Sequence, residues 1–172
     1  HVGSALAKSL ADEGAKVLVA DADEALANSV ADRTGATRIA PDEILSTPCD
    51  VLAPCAYGAV INDDTIDSLR CSIVAGGANN VLAQPHHGDH LRQRGILYAP
   101  DYCINAGGLI SLEEEMLGHD AERTERRVRS VGDLITRVIR RSERDDVPTT
   151  QAAAELAAER IRSLSSIGPR YV

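Results

Sequence analysis

The sequence has no phenylalanine and no tryptophan, one methionine and 4 tyrosines. A core without large rings must be built from Ala, Val, Leu and Ile. That suits a parallel sheet covered by alanine-rich helices, with strands buried on both faces. Positive charge is also scarce, and the net charge is -8 at pH 7. Phosphate-backbone binding needs a concentrated basic surface, so nucleic acid is excluded as the main partner. No apolar run approaches the ~18 residues of a membrane-spanning helix. The first residues hold no basic-then-apolar leader pattern either, so a membrane is not expected as a partner and a cytoplasmic location is. The cysteines, Cys49, Cys55, Cys71 and Cys103, form no C-x-x-C pair. They read as free thiols in a reducing compartment rather than as staples or zinc ligands.

What the sequence does have is alternation. Leu6 and Leu10 stand four apart among alanines in a helical pattern from Ser4 to Glu13, stopped by Gly14. A continuous apolar run, Lys16 to Ala20, follows as a buried strand with Asp21 at its end. A helix from Asp23 to Thr34 has Asp23 as its N-cap and Gly35 as its stop. Further strands are expected at Thr37–Ala40, Asp50–Pro54, Ser72–Ala75 and Ile96–Ala99. Between them fall a helical turn at Pro41–Leu45 and helices at Asn62–Leu69 and Gly88–Arg94. Strands alternating with helices predict βαβ units and a mostly parallel sheet. Beyond Asp101 the pattern is helical throughout: Ala106–Leu117, an Arg-rich amphipathic helix from Glu122 to Arg144, and Thr150–Ser165 after Pro148. The expected organisation is a Rossmann-type domain over residues 1–118 and a C-terminal helical extension over 119–172.

In open parallel sheets, ligands bind at the carboxyl ends of the strands. Here those ends read Asp21, Cys55-Ala56-Tyr57-Gly58, Gly76-Gly77-Ala78-Asn79-Asn80 and Pro100-Asp101. Small or polar tips let a ligand approach the backbone closely. Gly3, opening the first helix, takes the place of the third glycine of a G-x-G-x-x-G fingerprint. The other two glycines and the first strand would then precede His1, and the chain reads as a fragment. Asp21 follows at about the spacing expected of the acidic residue that holds a ribose, and its charge favours NAD over NADP.

Three longer segments carry a family resemblance. DVLAPCAYGAVINDDTI (Asp50–Ile66), IVAGGANNVL (Ile73–Leu82) and YAPDYCINAGGLI (Tyr98–Ile110) resemble the C-terminal half of the Glu/Leu/Phe/Val dehydrogenase family. The HGD of His87–Asp89 is most similar to the leucine, valine and phenylalanine members. The resemblance implies NAD-dependent oxidative deamination of a branched-chain or aromatic L-amino acid to a 2-oxo acid and ammonia, in a homo-oligomer. It places Gly3, Asp21, Cys55, Ala56, Tyr57, Asn79 and Asn80 along the cofactor, favouring Asn80 over its neighbour Asn79 at the nicotinamide although the two are hard to separate. It places Asn105 and Leu109 at the amino acid. Family members carry catalytic lysines and an aspartate in a preceding domain. The only lysines here are Lys8 and Lys16, which match none of those motifs, so no catalytic residue is assigned within the chain.

Other clusters have plainer readings. His86, His87, Asp89 and His90 match no structural zinc spacing, so no metal is expected, and Asp89 or a neighbour capping a helix is the better reading. Cys55 and Cys103 have no paired base and read as packing residues. Arg123 to Arg129 are interleaved with Glu122 and Glu125, as on an ion-paired, solvated face. A competing function is a non-catalytic NAD-sensing regulatory module. Such a module would share the βαβ pattern but have no use for the GGANN and NAGG segments.

Overall fold

The computed structural model describes residues 1–165. In chain order the elements are α1 (Val2–Asp12), β1 (Leu18–Val19), α2 (Glu24–Thr34), β2 (Thr37–Arg38), β3 (Val51–Leu52), β4 (Ile73–Val74), α3 (His86–Gln93), β5 (Leu97–Tyr98), α4 (Asp101–Ile104), α5 (Gly107–Leu117), α6 (Ala121–Asp145) and α7 (Thr149–Ser165). The strands pair in parallel, β1 with β2 and, separately, β3–β4–β5. This is the Rossmann-like α/β architecture the alternation predicts. The free side of β3 borders a groove of about 610 Å³, walled by Val2, Leu6 and Leu10 of α1 and by Val51, Ala53 and Ala75.

The main core lies in the three-stranded sheet. Leu52, Val74, Ile96 and Tyr98 pack with Ile61, Ile66, Leu69, Val81 and Leu91. Small β-branched and leucine side chains fill it, as the absence of Phe and Trp requires. A second cluster joins the C-terminal helices to this body: Cys103, Val138, Ala152 and Ala153, flanked by Leu134, Ile135 and Leu156. The Thr149 hydroxyl, opening α7, donates to the Tyr98 carbonyl at the end of β5 at 2.7 Å. Residues 166–172, the end of the expected helical extension, lie outside the described residues.

Two expected elements differ. The helix foreseen over Asn62–Leu69 is a single 3-10 turn, Ile66–Ser68. The Asn62 carboxamide takes the amides of Asp64 and Thr65, at 3.0 and 3.2 Å, and the Thr65 hydroxyl donates to the Val60 carbonyl at 2.6 Å. These side chains compete with the helix for the backbone. The short helix α4, which the strand-tip reading passed over, follows Pro100 directly. Among the described residues no helix is long and apolar enough to cross a membrane. All four cysteines are free thiols.

Candidate functional site at the strand tips

The loops after β3 and β4 are locked to each other through their backbones. The Ala78 amide donates to the Pro54 carbonyl at 2.9 Å and the Ala59 amide to the Asn80 carbonyl at 2.6 Å. The Gly77 amide donates to Cys55 Sγ at 3.5 Å, so Cys55 is a packing partner of the loop. A Cβ on Gly58 would lie 2.8 Å from the Asn79 carbonyl, so no larger residue fits there. The N-terminus of α1 seats on this pair of loops. A Cβ on Gly3 would lie 3.1 Å from Cys55 Cβ, and one on Gly77 would lie 2.7 Å from Val2 Cγ1. No side chain caps this helix, which leaves its first-turn amides available to an anion beside the strand tips.

Asn79, Asn80 and Asn105 meet here. The Asn105 carboxamide donates to Asn79 Oδ1 and, at 3.5 Å, to the Ala78 carbonyl. Both Asn79 and Asn80 are exposed, but Asn80 differs from its neighbour in its backbone, with φ at 52°, and among the described residues no hydrogen bond ties its carboxamide. The carboxamide of Asn79 is tied to Asn105 and that of Asn80, the neighbour the resemblance favours, is not. Nothing lies within 4 Å of a Cβ built on Gly107 or Gly108, so the start of α5 presents open backbone to the groove. Tyr57 is 72% and Leu109 73% exposed, and Ala56 is also exposed. Asp21 stands apart, at the end of β1 in the other sheet. It is half-buried, and its Oδ1 accepts the Asp23 amide at 3.0 Å in a local turn.

The histidines pair with acids far off in sequence. His86 and His87 reach Asp63 Oδ1 at 3.4 and 3.1 Å, and His90 reaches Asp67 at 3.3 Å. Asp89 does not cap α3. His87 Nδ1 instead accepts the Gln84 amide at 3.0 Å, and the helix begins at His86 rather than Gly88. Asp63, His86 and His87 sit close enough together to hold a metal ion. The chemistry argues against it. A backbone N–H can only donate, so Nδ1 of neutral His87 must be unprotonated and Nε2 carries the hydrogen toward Asp63. Nε2 then has no lone pair for a metal.

The arginine cluster is only partly as expected. Arg126 and Arg129 pair with Glu122 and Glu125 along α6. Arg123 and Arg127 instead cross to Glu114 and Glu113 on α5. Glu114 is 4% exposed and takes two nitrogens of Arg123, at 2.7 and 2.9 Å, plus the Asp120 amide at 3.0 Å. The Arg123 guanidinium holds its carboxyl down to about 2. Burial pushes the thiols of Cys49, Cys71 and Cys103 above their usual value, which disfavours the reactive thiolate.

Asp101 went unassigned from sequence, although its motif was noted. It is buried. Its Oδ2 accepts the Val81 amide at 3.3 Å and its Oδ1 the Tyr98 hydroxyl at 3.1 Å. No spacing rule signals it: Tyr98 stands only three residues before it, and Val81 comes to it through the fold.

The chain is similar to known proteins in sequence and fold. The leucine dehydrogenase of Thermoactinomyces intermedius is 44% identical over 164 residues, 95% of this chain and 45% of that protein. The crystal structure of L-tryptophan dehydrogenase from Nostoc punctiforme superposes with a TM-score of 0.91 at 40% identity, covering 94% of this chain and 48% of that one. The hetero-hexameric glutamate dehydrogenase from Thermus thermophilus, at 24% identity and a TM-score of 0.72, shares the fold. The chain spans about half the length of the curated relatives it matches. The model of the Glutamate/Leucine/Phenylalanine/Valine dehydrogenase family matches residues 15–166, and the chain belongs to that family.

Proposed function

We propose that this chain is the cofactor-binding part of an NAD-dependent L-amino-acid dehydrogenase. The reaction is oxidative deamination of a branched-chain or aromatic L-amino acid to a 2-oxo acid and ammonia. The observation that carries the reading is the meeting of the α1 N-terminus with the Cys55, Gly77, Asn79 and Asn105 segments at one end of the sheet. A module that only sensed NAD would need the helix terminus and Asp21. It would not need the Asn79–Asn105 pair beside the open backbone of Gly107 and Gly108.

The residues present fit a dinucleotide. Uncapped first-turn amides with a helix dipole behind them suit a pyrophosphate. Asp21 keeps Oδ2 for ribose hydroxyls while Oδ1 is held in its turn. Cys55, Ala56 and Tyr57, in the loop after β3, are assigned to the cofactor between these ends. NAD supplies the hydride acceptor when bound. The chain's own part is positioning: the exposed Asn80 carboxamide offers a donor and an acceptor to the nicotinamide side, and Asn105 fixes Asn79 beside it. Leu109 supplies apolar surface to the amino-acid side chain. The base that takes the amine proton is not assigned to this chain. The parent protein works as a homo-oligomer in the cytoplasm.

The test uses the full-length protein with leucine, valine, phenylalanine and tryptophan. Reduction of NAD by at least one of them is expected. NAD binding without turnover of any would favour the sensing module. Asp21→Ala should weaken NAD binding at least 10-fold, about 1.4 kcal/mol; unchanged affinity would remove the ribose assignment.

A further inference from the structure

We infer that Asp101 is a positioning residue of this site, holding the Asn79–Asn80 turn and the Asn105 segment in register with each other. The inference rests on the function proposed above. Its basis is one buried residue bonded toward both segments, by its carboxylate to one and by its backbone carbonyl to the other. Through its side chain, Asp101 Oδ2 accepts the amide of Val81, the residue directly after Asn80, at 3.3 Å. Through its backbone, the Asp101 carbonyl accepts the amide of Asn105 at 2.9 Å. The Tyr98 hydroxyl fixes the other carboxylate oxygen at 3.1 Å and also accepts the Asp101 amide at 3.3 Å.

The turn needs such a hold. Asn80 stands at φ 52°, in the left-handed region that a non-glycine residue occupies at a cost. Strain of this kind persists only where neighbouring bonds over-determine the backbone. Here the Asn80 carbonyl takes the Ala59 amide on one side and the Val81 amide goes to Asp101 on the other. Without the carboxylate, the Val81 amide is left buried and unpaired. Asn80 can then relax toward right-handed backbone, which swings its side chain away. Asn79 would also shift against Asn105.

Among the described residues the Asp101 carboxylate makes no ion pair. Its partners are an amide and a phenol, and burial pushes that phenol above its usual value and keeps it a donor. The role is therefore acceptor geometry rather than charge, which makes Asp101→Asn the informative conservative variant. An asparagine can accept the Val81 amide through Oδ1 and donate to the Tyr98 oxygen.

The experiment compares full-length wild type, Asp101→Ala and Asp101→Asn. For Asp101→Ala, kcat should fall about 10- to 100-fold from misplacement of the bound groups. NAD dissociation, governed by Asp21 and the α1 terminus, should change less than about 2-fold. Asp101→Asn should recover most of kcat. In hydrogen exchange, the Val81 amide should exchange faster in Asp101→Ala than in wild type and return in Asp101→Asn, while the Asn105 amide, held by the Asp101 backbone carbonyl, keeps its bond in all three. Unchanged kcat in Asp101→Ala overturns the inference. So does an Asp101→Asn variant that folds with wild-type thermal midpoint yet is as slow as Asp101→Ala. If wild type turns over no amino acid, the dehydrogenase reading falls by itself. Hydrogen exchange then decides the positioning role: unchanged protection of Val81 overturns it, and lost protection with recovery in the Asn variant upholds it.

Discussion

The two halves of the sheet have the same sequence rhythm and different interiors. In the first half, Leu18 and Val19 of β1 are half-buried, Thr37 and Arg38 of β2 are exposed, and the buried apolar side chains are Ala7, Ala27 and Val30. In the second half, Ile61, Val74 and Leu91 are wholly buried. Alternation alone does not make a core: Leu52 of β3 and Tyr98 of β5 are buried on strands with one neighbour each, whereas Thr37 and Arg38 of β2, also with one neighbour, are exposed. β4 has β3 and β5, whereas β1 has β2 only. The loops that form the candidate site belong to the well-buried half. The proposed ribose residue, Asp21, belongs to the thin one. One half provides rigid positioning and the other provides a helix terminus and a carboxylate.

Truncations in the two cores test this contrast most strongly. Leu91→Ala should cost about 2–5 kcal/mol, because a wholly buried leucine leaves a cavity. Val30→Ala removes less from a thinner interior and should cost about 1–2 kcal/mol. Hydrogen exchange of the β4 and β1 amides reads the two halves separately. Equal losses at both strands from either variant would break the comparison and make the sheet one cooperative unit.

Next comes the ion pair that ties α5, and with it Gly107 and Gly108, to α6. The Glu114 carboxyl is held down to about 2 from an ordinary 4.5. A depressed carboxylate stabilises the fold fully above its ordinary value and loses that contribution as pH falls toward the folded value. Glu114→Gln should therefore lower the thermal midpoint at neutral pH, and the gap from wild type should narrow between about pH 5 and about pH 3. A gap constant with pH would mean that shape, and not charge, holds the junction.

How much of this was legible from sequence follows from which forces are local. Caps and stops are local: Asp23 accepts the Ala25 and Leu26 amides, and Gly35 closes α2 at φ 71°. The parallel strands were legible because their apolar runs are continuous. The strand-tip motifs were legible as a set, but not the division of labour within them. Whether Asn79 or Asn80 is tied depends on Asn105, 26 residues on from Asn79. The partner of His86 and His87 lies at Asp63, and the distant partner of Asp101 at Val81, joined only by folding. The helix read at Asn62–Leu69 failed for a local reason, since Asn62 and Thr65 take up the backbone bonds a helix would use.

Capping should matter more where the core is thin. Asp23→Ala removes two side-chain bonds at the start of α2 and should cost about 1 kcal/mol. The effect should appear in exchange of the α2 and β1 amides and leave β4 unmoved. Spread of the loss into β4 would again argue for one cooperative sheet.

The smallest effect sharpens the contrast from the rigid side. Ala59 holds φ 56° in the loop after β3 and is exposed, so its methyl group contributes little packing. Left-handed backbone costs an alanine roughly 1–2 kcal/mol. Glycine removes that strain but loses roughly 0.5–1 kcal/mol of backbone entropy on folding. Ala59→Gly should therefore stabilise by only about 0.5 kcal/mol, read as a small rise in thermal midpoint. The Ala59 amide keeps its bond to the Asn80 carbonyl in either residue, so turnover should not change. A clear loss of stability would mean that the loop is not strained and that its shape is set by the methyl group. A loss of turnover with stability intact would mean that the stiffness of this loop, as well as its bonding, serves the site.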